Sequence, residues 1–220
     1  MGEEVVLLDF WASPFGMRVR IALEGKGVKY EYKEEQLALM QKSPLLLQSN
    51  PVYKKIPVLI HNNKPICESL IILEYIDSVW NDKFPLLPSD PYQQAQARFW
   101  AGFSAKLYEF GKEIWMKKGG EQEKGKTELI EGLKLFEKEL GEKPFFGGEA
   151  MGLVDVTLVP NFTWFYVYER CGNFSIEEEC PKLMQWAKRC MEIDFVAKSL
   201  ADRHKVYELV TKSKKNLGLE

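Results

Sequence analysis

Histidine and cysteine are scarce in this chain, with two His and four Cys among 220 residues. A His-based metal site is therefore not expected. Both histidines are assigned to the surface, His61 on a hairpin and His204 in the polar stretch Asp202-Arg203-His204-Lys205. Cys67, Cys171, Cys180 and Cys190 are too dispersed for a disulfide scaffold or a zinc cluster, so the expectation is four reduced, mostly buried thiols and no metal. An excess of one charge is also lacking. Thirty Lys+Arg face thirty-two Asp+Glu, for a formal net charge of -2, and nucleic acid would call for a concentrated positive face. No run approaches the roughly eighteen apolar residues of a membrane span. Met1-Gly2-Glu3-Glu4 has no basic region ahead of Val5-Val6-Leu7-Leu8, and Val6 stands where a myristoylation pattern wants Ser or Thr. The expected location is the cytoplasm. Phosphate-loop and dinucleotide glycine motifs are missing, as is the G-x-S-x-G elbow of many serine hydrolases.

What is present changes character near residue 80. Val5 to Phe10 is a short apolar run that reads as a buried strand. Ser13-Pro14 then supplies a good N-cap and a proline suited to the first helical position, so a helix is predicted from Pro14 to about Gly25. Val28 to Lys33 alternates as a second strand, and Ser43 to Ser49 forms a short helix before Asn50-Pro51. Pro57-Val58-Leu59-Ile60 makes a third strand, His61 to Lys64 a hairpin turn, and Pro65-Ile66-Cys67 the return strand. A helix follows from Ser69 to Trp80. These elements describe a small α/β unit with a mixed sheet.

Pro85, Pro88 and Pro91 mark residues 82–91 as a linker between a domain over 1–81 and a second over 92–220. The second reads as all helix, over 92–117, 123–140, 153–170, 182–192 and 195–214, the last of these open to a break.

In open α/β sheets ligands sit beyond the carboxyl ends of the strands, where helix N-termini point. Trp11 to Phe15, Lys54 to Pro57 and Glu68-Ser69 fall there. A small acidic ligand could find the helix N-terminus at Ser69, lysines at 42, 54 or 55, and the Ser13 hydroxyl.

The same residues carry a family resemblance. Asp9-Phe10-Trp11-Ala12-Ser13-Pro14-Phe15, Asn50-Pro51-Val52-Tyr53-Lys54-Lys55-Ile56-Pro57-Val58-Leu59 and Cys67-Glu68-Ser69-Leu70-Ile71-Ile72 resemble the plant tau class of cytosolic glutathione transferases. Leu86 to Pro91, Phe146-Gly147-Gly148 and Cys180-Pro181 extend the likeness over nearly the whole chain. The resemblance implies an α/β thioredoxin-like N-terminal domain and an all-helical C-terminal domain. It implies an enzyme that joins the glutathione thiolate to hydrophobic electrophiles, with peroxidase activity toward organic hydroperoxides as a further capacity. Glutathione would be the co-substrate, no metal would be used, and the chain would form a homodimer.

By the same resemblance Ser13 would hydrogen-bond the glutathione sulfur. Pro57 would be a cis proline with the Ile56 backbone pairing the cysteinyl unit. Glu68 and Ser69 would hold the γ-glutamyl end, and Lys42 and Lys55 the glycyl carboxylate. Phe10, Phe15, Tyr108, Trp115, Trp164 and Leu209 would line an apolar electrophile pocket. Local readings stand beside these. Ser13 is also a plain N-cap, Pro57 a strand start, Glu68 and Ser69 ordinary first-turn residues, and Lys42 and Lys55 surface lysines. The aromatics are also candidate bundle core, to which Trp100 and Trp186 are assigned.

Arg18, Arg20, Glu74, Tyr75 and Asp77 offer material for a dimer contact. The chain departs from the tau pattern in the longer stretch Gln36 to Lys42, in Lys112 where Arg is frequent, and in Gly152 before Asp155, which is read as a buried folding residue. A thiol transferase, which would want Cys in place of Ser13, and a non-catalytic carrier of plant metabolites or glutathione conjugates are the alternative functions.

Overall fold

The computed structural model describes residues 4–36 and 42–219. The chain divides into two compact units, one ending at Leu86 and the other beginning at Leu87. In the first, strands β1 (Val5–Asp9), β2 (Glu31–Glu34), β3 (Val58–His61) and β4 (Lys64–Cys67) form one sheet in the order β2-β1-β3-β4. β1 runs parallel to β2 and antiparallel to β3, which pairs antiparallel with β4, so the sheet is mixed as predicted. All five residues of β1 are buried. Leu7 and Leu8 are fully so, each contributing roughly 1.5–3 kcal/mol by leaving water. Helix α1 (Pro14–Lys26) and α3 (Ser69–Val79) pack together, and the short α2 (Pro44–Ser49) places Leu46 in a cluster with Val6, Leu8 and Val58.

In this unit most boundaries fall within a residue or two of the predicted ones, and the exception has a definite cause. The second strand begins at Glu31 rather than Val28 because Val28 helps to end α1. Gly27 takes φ 70°, its amide donates to the Glu24 carbonyl, and the Val28 amide donates to the Leu23 carbonyl at 2.9 Å. That is the paired bonding of a Schellman cap, and only glycine adopts this backbone without a Cβ penalty. The hairpin turn is built on Asn62 and Asn63 at φ 48° and 62°, the left-handed pair a tight two-residue hairpin requires.

His61 requires correction. It is buried, not solvent-exposed: its Nδ1 lies 2.7 Å from the Tyr75 hydroxyl and its ring 5.0 Å from that of Trp80. His204 is exposed, with its ring edge-on to Tyr166. All four cysteines are free, Cys180 and Cys190 buried and Cys67 and Cys171 half-buried.

The second unit comprises α4 (Pro91–Met116), α5 (Gly120–Leu140), α6 (Leu153–Leu158), α7 (Pro160–Gly172), α8 (Ile176–Glu179), α9 (Pro181–Met191), α10 (Asp194–Ser199) and α11 (Arg203–Asn216). α4 packs against α5, α6 and α7, and α11 against α7. The stretch predicted as one helix over 153–170 is split at Val159, because Pro160 has no amide hydrogen to continue the ladder and instead starts α7. α8, capped by Ser175, was not foreseen. The last helix is broken, and Asp202 caps α11 by accepting from the His204 and Lys205 amides.

Asp155 joins the parts of this unit. Its side chain is fully buried and accepts from the amides of Gly152 (2.8 Å), Phe146 (2.9 Å) and Gly147 (3.0 Å) and from Trp186 Nε1 (2.7 Å). It is the buried folding residue expected, and Trp186 is core. Asp155→Ala strands the Gly152 amide and the Trp186 indole away from water and unties the Phe146 and Gly147 amides, so it should cost more than about 3 kcal/mol. Urea unfolding of the two proteins side by side checks this, the variant unfolding at much lower denaturant or failing to accumulate folded.

Candidate functional site

The register of the sheet gathers three segments at one end. Leu8 pairs with Val58, and Val58 with Cys67. The turn that leaves β1, the chain entering β3 and the residues following β4 therefore lie together.

At the first of these, Ser13 N donates to the Phe10 carbonyl at 2.8 Å, turning the chain from strand to helix. Ser13 Oγ accepts from the Gly16 amide at 3.2 Å, the N-cap bond of α1. That bond uses a lone pair of the oxygen and leaves the hydroxyl hydrogen to donate. The cap and the chemical reading of Ser13 are thus compatible in one side chain. Around it the turn is tied on both sides. Arg20 donates to the Trp11 carbonyl at 2.8 Å, the Trp11 amide donates to the Glu34 carboxylate at 3.3 Å, and the Glu35 amide to the Asp9 carbonyl at 2.7 Å. Asp9 itself is fully buried, with Arg20 Nε 3.5 Å from its carboxylate.

At the second segment the Ile56–Pro57 peptide is cis. The buried Asn50 holds the approach: its side-chain amide donates to the Lys55 carbonyl at 2.9 Å, and its side-chain oxygen accepts from the Tyr53 amide at 3.1 Å. Lys54 and Lys55 are exposed, as is Lys42. Lys42 precedes Ser43, whose amide and hydroxyl both donate to the buried Glu35 carboxylate. Leu37 to Gln41, the apolar part of the lengthened stretch, lies outside the described residues.

At the third, Glu68 has φ 69° ahead of α3. A left-handed backbone is costly for a residue with a side chain and persists where the surroundings impose it, commonly at functional sites. Ser69, buried, receives a hydrogen bond at 3.3 Å from Arg18, whose guanidinium also lies over the Phe15 ring at 4.8 Å. Burial pushes the Arg18 guanidinium down to about 9.

Sequence reasoning missed this placement of Arg18 and offered it, with Arg20, as material for a dimer contact. For Arg18, burial overturns that reading. Arg18 is 1% exposed and Arg20 is spent on Asp9 and the Trp11 carbonyl. Two of the other residues offered for that face also have partners within the unit. Tyr75 meets His61, and Asp77 takes Lys26 at 2.6 Å.

Of the aromatic candidates, Phe10 and Phe15 are half-buried in the first unit. In the second, Tyr108 lies edge-on to Trp164 at 5.3 Å, and Trp164 stacks on Tyr168 at 6.2 Å. Trp164 is 5% exposed, and Trp115 and Leu209 are half-buried. Trp115 Nε1 is buried with no acceptor among the described residues. Cys67 Sγ donates to the Ser49 carbonyl, and burial raises its thiol, which does not favour a nucleophilic role. Among the described residues no group of three or more His, Cys, Asp or Glu could hold a metal ion, and no helix is long and apolar enough to cross a membrane.

Two family models match the chain, the N-terminal domain of glutathione S-transferase over residues 3–78 and its C-terminal domain over 97–194. The tobacco (Nicotiana tabacum) probable glutathione S-transferase parC is 60% identical over 220 residues, covering 99% of both chains. Glutathione S-transferase U25 of Arabidopsis thaliana is 58% identical, covering 100% of this chain and 99% of its own. Among solved structures, rice GST1 (OsGSTU1) in complex with glutathione superimposes with a TM-score of 0.92 at 48% identity, covering 98% of each chain. The tau-class enzyme MiGSTU from mango (Mangifera indica) gives 0.89 at 42% identity, covering 94% of this chain and 97% of that one.

Proposed function

The chain belongs to the glutathione S-transferase family, in its plant tau class, and from that premise we propose that Ser13 is the hydroxyl that holds the glutathione sulfur and favours its thiolate. The protein is an enzyme, a glutathione transferase. The observation that carries the Ser13 reading is the sheet register, which brings the Ser13 turn, the Ile56–Pro57 peptide and Glu68-Ser69 to one end of the sheet.

In this reading glutathione lies along that end. The Ile56 backbone pairs with the cysteinyl unit beside Pro57. Glu68 takes the γ-glutamyl amine, and the γ-glutamyl carboxylate sits at the Ser69 hydroxyl and the N-terminus of α3, where a helix end favours an anion. Arg18, held against Ser69, adds its positive charge to that end. Lys42 and Lys55 meet the glycyl carboxylate. A free thiol of pKa about 8.5 is only a few per cent ionised at neutral pH, and the thiolate is the nucleophile. The Ser13 hydroxyl and the positive end of α1 both favour the ionised form. The sulfur then attacks an electrophile held on the aromatic side chains Phe10, Phe15, Tyr108, Trp115 and Trp164 with Leu209, and the leaving group departs or the activated double bond takes up a proton. Organic hydroperoxides are a further substrate class. The same reading makes the protein a cytoplasmic homodimer that acts in detoxification and stress response. Exposed Val52, Tyr53 and Ile71 of the first unit and Tyr92 and Phe99 of the second supply apolar contact material.

Ser13→Ala loses one cap, worth about 1 kcal/mol, and should stay folded. Its bound thiol should ionise one to two pH units higher, lowering the thiolate fraction and conjugation at neutral pH roughly eight- to twenty-five-fold. Thiolate absorbance against pH together with steady-state rates measures both, and an unchanged titration with parental turnover assigns Ser13 to capping alone. For the acceptor side, Trp115→Ala should reorder rates across a panel of halides, enones and hydroperoxides while leaving glutathione affinity nearly unchanged. Equal losses with a large fall in Tm would identify a core residue instead. Light scattering at micromolar concentration should give about twice the 25.5 kDa chain mass, and a monomer at high concentration would rule out the dimer.

A further inference from the structure

Asp9 takes no part in the site as read so far, yet it is fully buried directly under the first turn of α1. A Cβ placed on Gly16 would fall 1.7 Å from Asp9 Oδ1 and 2.3 Å from Oδ2, so the carboxyl occupies the room where another residue's side chain would stand. The amide of that same Gly16 donates to Ser13 Oγ. One residue therefore touches both the buried carboxyl and the reacting hydroxyl, at the end of a helix that carries no acidic residue in its own first turn.

We propose that Asp9 is a positioning residue for the thiolate: pressed against Gly16, its carboxyl shares the positive end of α1 with the sulfur held at Ser13, so its charge state sets how readily that sulfur ionises. This rests on the reading of Ser13 given above.

Among the described residues the groups facing Asp9 are few. α1 supplies Arg20, with Nε 3.5 Å away, and the β2 side supplies Glu34 and the phenols of Tyr30 and Tyr32. Burial pushes the Asp9 carboxyl up to about 7, against the pull of the Arg20 guanidinium and the Phe10 amide, with the Glu34 carboxylate adding to the rise. Asp9 therefore changes charge in the range where the thiol does. Neutral Asp9 leaves the helix end to the thiolate alone. Ionised Asp9, itself fully buried, places a second anion at the same helix end as the sulfur, and each anion opposes the other. The two protons then leave as a coupled pair, and the thiol ionises over a wider pH span than one independent group would. The coupling is reciprocal, so a bound thiolate also raises the Asp9 carboxyl.

The direction of the effect provides the test. With glutathione bound and thiolate absorbance followed against pH, Asp9→Asn should move the midpoint down by roughly one pH unit and sharpen the curve to that of a single proton. A carboxyl that merely held the turn would lower stability without lowering that midpoint. The unaltered protein gives a second measurement that needs no variant to fold: the carboxyl carbon of Asp9, followed by NMR with labelled aspartate, should titrate higher with glutathione than without it. An unchanged midpoint in Asp9→Asn, or an Asp9 titration indifferent to glutathione, overturns the proposal. Ser13→Ala, run in parallel, separates the two readings because its midpoint should move up. If that variant moves and Asp9→Asn does not, only the role of Asp9 fails. If Ser13→Ala leaves the midpoint in place, the assignment of Ser13 fails first.

Discussion

The bond from the Gly16 amide to Ser13 Oγ is the constraint on which the turn from β1 into α1, and with it the proposed role of Ser13, depends. A helix beginning directly after a buried strand must satisfy its first amides within a tight turn, and Ser13 does so with its own side chain. The bond fixes the oxygen at the helix end and leaves its hydrogen free, so the requirement of folding also orients the hydroxyl. Everything around the turn restrains the same few atoms. Arg20 and Glu34 hold the Trp11 backbone from opposite sides, and Glu35 bonds the last carbonyl of β1. A hydroxyl on a loosely held loop would lose part of its effect to reorganisation, whereas one held by an element junction is already in place.

The second unit is organised by a different device. Asp155 collects three backbone amides and one indole from separate segments, joining the loop around Phe146 to α6 and α9. The departure at Gly152, which provides no side-chain cap, is thereby made harmless, because Asp155 reaches back to the Gly152 amide itself. Its aromatic candidates are held by one another: Tyr108 against Trp164, and Trp164 against Tyr168. Such contacts restrict ring orientation.

What was legible in the sequence was mostly local. β1 is a run of apolar residues, α1 starts on a serine and a proline, and the hairpin turns on two asparagines. Each of those signals is contained within a few residues. The failures came from contacts made at a distance. His61 is exposed in any local reading, yet it meets a tyrosine 14 residues on and a tryptophan beyond that. Arg18 resembles a surface charge on an amphipathic helix until α3 brings Ser69 to it across 51 residues. Val28 has strand character, but its amide is already committed to ending α1. The break at Pro160 was within reach of local reading, since a proline inside a helical stretch removes one bond from the ladder wherever it stands. For the site, the motifs around Ser13, Pro57 and Glu68 could be picked out by resemblance, but the motif that contains Asp9 does not show that it is buried, and the buried Arg18 lies outside every motif.

Departures from the ordinary rules of folding cluster in these units unevenly, and the pattern separates stability from chemistry. Asp155 and Asp9 are both fully buried aspartates, and their surroundings differ. Asp155 is surrounded by donors at 2.7 to 3.0 Å, which offset part of the cost of its burial, although burial still raises its carboxyl. Asp9 has its nearest cation at 3.5 Å and no such set of donors, so burial prevails and its proton is held far more tightly than in water. Within the same end of the sheet stand a left-handed Glu68 and a buried Arg18. A fold selected for stability alone would remove such features, since each is costly and replaceable. Their concentration at the end of the sheet proposed to hold the thiol, against an aspartate of the helical unit that has four donors, is the pattern of a region shaped by a reaction and not by stability alone.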